Sequence, residues 1–183
     1  DPRTRELGRV LEVWPAGEFA RLKPDETRLL ADAGRRRRAN GLITRLSDMG
    51  PTAAPLLTEI IDTHRRAAAH LRATARENED DESIPQAERR HGGEAHRDTA
   101  NAAIGALCRL GPDAKGELDR LLEIEQRFAR DRFDVRNWDR MMVRVGKPVE
   151  QVRKPENLSG SEANYQRNLR HFLDRFRPEQ SCS

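Results

Sequence analysis

The sequence predicts an all-α domain, and three observations predict it. Apolar residues recur at three- and four-residue steps along most of the chain, the period of one helical face. Strands favour β-branched and aromatic clusters, and these are missing, with aromatics at 4%. One pattern is also written twice. Shifting the chain by 61 positions lays Ala39, Asn40, Ile43, Leu46, Gly50, Pro51, Ala53 and Leu57 on Ala100, Asn101, Ile104, Leu107, Gly111, Pro112, Ala114 and Leu118. At 183 residues the chain can bury a core without metal or disulfide staples, and a single helical domain spanning 1–183 is expected.

Residues 1–34 read as N-terminal helices. Leu7, Val10, Leu11 and Trp14 share a face that Pro15 stops, and Pro24, Asp25 and Glu26 mark a second start, where proline fits the first turn and carboxylates suit the positive end of the helix dipole. Residues 35–76 read as a first helical hairpin. Ala39, Leu42, Ile43, Leu46 and Met49 form one stripe, Gly50 closes that helix, and Pro51 opens another carrying Leu56, Leu57, Ile60, Ile61, Ala68 and Leu71. Residues 77–93, "ENEDDESIPQAERRHGG", have no apolar period and several adjacent acids, and are expected to form a flexible surface insertion.

Residues 94–133 repeat the hairpin. Ala100, Ala103, Ile104, Leu107 and Leu110 precede Gly111 and Pro112, and Leu118, Leu121, Leu122 and Phe128 follow. Residues 134–183 hold the C-terminal helices. One carries Val135, Trp138, Met141, Met142 and Val145 and closes at Gly146 and Pro148. The last is capped by Ser159 or Ser161, buries Tyr165, Leu169, Phe172, Leu173 and Phe176, and ends at Pro178.

The string "ANAAIGALCRLGPDAKGELDRLL" resembles a HEAT-type repeat, and "RRANGLITRLSDMGPTAAPLLTEII" resembles a second, degenerate copy. The resemblance implies a short HEAT-like α-solenoid, a helical-hairpin array whose flanking helices act as caps. Such arrays normally stack three or more repeats, so two copies leave faces for the caps to cover. One hairpin cannot hide its own apolar stripe, and a similar hairpin beside it can.

Composition narrows function by exclusion. Charged residues make up 36% of the chain, but 34 basic residues face 31 acidic ones, so the net charge of +3 is a weak argument for nucleic acid. No run approaches the twenty apolar residues of a membrane span, so direct membrane insertion is not expected. Cys108 beside an apolar stripe reads as a small buried thiol. Cys108 and Cys182 together make neither a disulfide framework nor a zinc spacing. The chain opens at Asp1, which leads us to expect a processed product or a piece of a longer protein, with compartment open.

The charge run Arg35, Arg36, Arg37 and Arg38 is the candidate partner-binding site. Four guanidiniums over one helical turn can clamp phosphates or an acidic partner. The plainer reading is a solvated turn paired with Asp25, Glu26 or Asp32. His64, His70, His91, His96 and His171 fit no ligand spacing, so no metal or other cofactor is expected. Trp138 beside Asp139 brings to mind the aromatic and acidic residues of HEAT-like DNA alkylpurine glycosylases, but core burial of Trp138 is the stronger reading. No nucleophile, base and orienter can be assembled, so no enzyme is expected. The expected function is a non-catalytic protein-protein interaction or scaffold domain with an acidic protein partner. The alternative is a nucleic-acid-binding domain with an Arg-rich surface.

Overall fold

The computed structural model describes residues 40–41, 43–77, 86–128 and 134–177, with only the helical backbone for 70–77 and 86–95. Every regular element among these residues is helical, as the all-α expectation required. A 3-10 corner, Ser47–Ala53, leads into α1, Ala54–Glu77; α2, Gln86–Leu110, leads into a second 3-10 corner, Gly111–Glu117, and then α3, Leu118–Phe128. Helix α4, Val135–Val145, a 3-10 turn, Val149–Gln151, and α5, Glu162–Arg175, complete the order. The helices expected in 1–34 and the run Arg35, Arg36, Arg37 and Arg38 lie outside the described residues.

The chain divides into two compact units, one made of residues 1–46 and 59–103, the other of 47–58 and 104–183. In the first, Ile60, Ile61, His64, Ala67 and Ala68 of α1 are buried at helical spacing, as are His96, Thr99, Ala100 and Ala103 of α2. Alanines at both faces permit close helix approach. Helix α2 already begins at Gln86, so residues 86–93, expected within the insertion, have helical backbone, including Gly92 and Gly93.

The second unit holds both Gly-Pro corners, and they touch. Gly50 has φ 70° and ψ −157°, Gly111 has φ 54°, and each bend needs the left-handed backbone that only glycine adopts at little cost. Arg109 Nε donates to Ser47 Oγ at 2.9 Å across the paired corners. The corners differ in their surroundings. A side chain at Gly50 would meet open space, whereas one at Gly111 would strike the guanidinium of Arg144 at 2.5 Å. That guanidinium also lies 4.1 Å from the ring centre of Phe176, and Arg144 Nε donates to the Cys108 carbonyl near the C-terminal, negative end of α2.

Helix α4 is the hub of this unit, packing against the second corner, α3 and α5. Six of its eleven residues are buried: Trp138, Asp139, Met141, Met142, Val143 and Val145. Truncating a fully buried methionine there would cost roughly 2–5 kcal/mol. Val143, Val149, Val152 and Leu169 form a core beneath Tyr165 and Leu173. Helices α4 and α5 run in the same sense, because Arg140 stacks on Phe172 and Arg144, one turn later, on Phe176. The intervening loop, 146–161, therefore carries the chain back along them. Gln166 Nε2 donates to the Val152 carbonyl and Lys154 Nζ to those of Pro155 and Leu158, holding that loop in place.

Cys108 is fully buried, but it is disulfide-bonded rather than the free thiol expected. The chain's other cysteine, Cys182, lies outside the described residues. No helix among the described residues is long and apolar enough to cross a membrane.

Candidate functional site

Parallel α4 and α5 leave a cleft of about 170 Å³ at their N-terminal ends. Arg136 and Arg140, one turn apart, line it from α4; Asn164 and Asn168, also one turn apart, line it from α5. Leu158 and Ser159 form the third side, and Tyr165 and Leu169 also line it. Ser161 sets the start of α5: its backbone is extended and its hydroxyl accepts from the Asn164 N–H at 3.2 Å. Of the two expected caps, Ser161 serves, and Ser159 faces the cleft instead.

Behind this lining is a buried polar network. Tyr165 Oη donates to Asp139 Oδ2 at 2.5 Å, and the Asp139 side chain is almost wholly buried. Burial is the main cause that pushes the Asp139 carboxyl up to about 6; nearby Glu125 adds to it, while the Tyr165 bond and Lys147 oppose it. Burial and the same carboxylate raise the Tyr165 phenol well above its ordinary value. Next to Asp139, Trp138 Nε1 donates to Glu125 Oε1 at 3.3 Å, and Lys147 Nζ pairs with Glu125 Oε2 at 2.6 Å. Trp138 is thus a core residue with a satisfied indole, as the stronger sequence reading had it.

The first unit contains a different pair. His64 Nδ1 and His96 Nδ1 lie 2.9 Å apart, on rings that are 2% and 0% exposed. One nitrogen must donate and the other accept, so the bond fixes complementary tautomers. Burial lowers the His96 imidazole to about 4; it also holds His64 well below its ordinary value, with repulsion from His96 adding to the effect. No cluster of three metal-ligating side chains occurs among the described residues.

Neither grouping was picked out from sequence. His64 and His96 are separated by 32 positions, and only the packing of α1 against α2 joins them. The cleft did leave a signal. Arg136, Arg140 and Arg144 recur every four residues, and residues 135–177 hold ten lysines and arginines against five acids, more than the whole chain's excess of +3. Summing over the full chain hid that concentration.

Comparison of the chain with family models, with curated proteins and with solved structures gives no match.

Proposed function

We propose that the chain is a non-catalytic protein-interaction or scaffold domain that holds an acidic protein partner. The observation that carries this reading is the concentration of positive charge on the C-terminal helices of the second unit. Arg136, Arg167, Arg175 and Arg177 are all exposed there. Their own acids are largely committed: Glu150 to Arg170, Glu162 to Arg153, and Asp139 to the interior. A surface with spare guanidiniums and few spare carboxylates steers and retains an acidic surface of opposite charge. The paired Gly-Pro corners support the HEAT-like part of the reading, since one hairpin corner lies against its sequence counterpart.

The test is capture of an acidic partner by the intact chain and by the charge-reversed R167E/R175E protein. Loss of capture on reversal supports the reading, and unchanged capture overturns it. The nucleic-acid alternative makes a separate prediction: a gel shift with nonspecific DNA or RNA whose affinity falls steeply with salt.

A further inference from the structure

We propose that the cleft between α4 and α5 is a binding site for a phosphate monoester. The inference goes beyond the interaction reading, and the site stands or falls without it.

Four observations carry it. First, the cleft's polar lining is made of donors: the guanidiniums of Arg136 and Arg140, the carboxamides of Asn164 and Asn168 and the hydroxyl of Ser159. Second, no carboxylate lines it among the described residues. Asp139, the acid nearest to Tyr165, is sealed behind that ring, and Glu162 is occupied by Arg153 and Gln166. Third, Arg136, Ser159 and Asn168 make no hydrogen bond or ion pair with other described residues, so binding an anion there requires no internal bond of theirs to break. Fourth, because α4 and α5 run in the same sense, the positive ends of both helix dipoles lie at this cleft.

These donors suit a phosphate better than a carboxylate. A carboxylate has two oxygens in one plane, whereas a phosphate monoester offers three around a tetrahedron and carries close to two negative charges. Donors arriving from three directions, α4, α5 and the 158–159 loop, match the tetrahedral group. The Tyr165 hydroxyl proton is already given to Asp139, so the donors left for the ligand are those of Arg136, Arg140, Ser159, Asn164 and Asn168.

The experiment is a titration of the isotopically labelled full chain with inorganic phosphate, followed through the side-chain amide resonances of Asn164 and Asn168. Acetyl-glutamate serves as the carboxylate control. Saturable shifts with phosphate and none with acetyl-glutamate are expected. R136Q should weaken phosphate at least tenfold, and N168A about threefold. Arg136 is exposed, so R136Q should leave the resonances of Leu169 and Val143 in place, which checks that the fold is intact. No saturable shift, equal affinity in R136Q, or equally tight acetyl-glutamate would each overturn the proposal. Two further arms identify the carrier, a phosphoserine peptide and a sugar phosphate. Tighter binding of either than of inorganic phosphate supports a monoester site, and weaker binding of both overturns it in favour of the free ion.

Discussion

Each unit buries a polar pair, and the two pairs respond to pH in opposite ways. In the first unit the His64–His96 pair is held neutral by burial, with His96 at about 4 against an ordinary 6.5. The unfolded chain takes up protons first, so this contribution is intact above pH 6.5 and is lost as pH falls towards 4. In the second unit Asp139 sits at about 6 against an ordinary 3.8. Here the folded state holds the proton more tightly, so stability is full below about 4 and declines as pH rises to 6. Each effect is on the order of 3 kcal/mol. The difference shows that burial alone does not set the sign: burial favours the neutral form, and the neutral form of a histidine is the base while that of an aspartate is the acid.

The strongest way to break this comparison is amide exchange resolved by residue. Between pH 7 and 4.5 the opening free energy of α1 amides around His64 should fall by about 3 kcal/mol, while α4 amides around Asp139 should not fall. Parallel changes in both would end the contrast. Next in size is Asp139→Asn, which keeps an acceptor for Tyr165 but cannot ionise. In urea unfolding it should stabilise the protein by about 2 kcal/mol at pH 8 and leave it near the parent at pH 4. A loss at pH 8 would mean that the carboxylate is ionised and held by Lys147. His96→Gln removes one titrating ring and should flatten the acid slope by about half, at a neutral-pH cost of roughly 1 kcal/mol. The same unfolding series checks it. Smallest is Tyr165→Phe, which deprives the carboxylate of its donor. It should cost about 1 kcal/mol at pH 8 and less at pH 4, where the acid is protonated. A pH-independent loss would show that only packing had changed.

Much of the described fold was legible in the sequence. Gly-Pro pairs between apolar stripes marked both corners, and α4 with its buried Trp138, Met141, Met142 and Val145 matched its pattern. What was missed depends on distance or on local disguise. The histidine pair has no sequence signal because its members meet only through helix packing. Asp139 sits between Trp138 and Arg140, where a carboxylate ordinarily faces water; its burial follows from α4 being covered by α3, α5 and the second corner together. The start of α2 was hidden by Gly92 and Gly93, residues that weaken a helix without forbidding it. The cleft was half legible: the arginine spacing is in the sequence, but not that a parallel α5 brings Asn164 and Asn168 to the same end.

The guanidinium resting on Gly111 has made the two copies of the corner unequal. A side chain at Gly50 would meet open space, so that position answers only to its own backbone conformation. Gly111 answers to Arg144 as well, and through it to Phe176 and the end of α2. The two corners share a sequence pattern, but the second is tied to a later segment of the chain, so a side chain at Gly111 would require the Arg144 guanidinium to move.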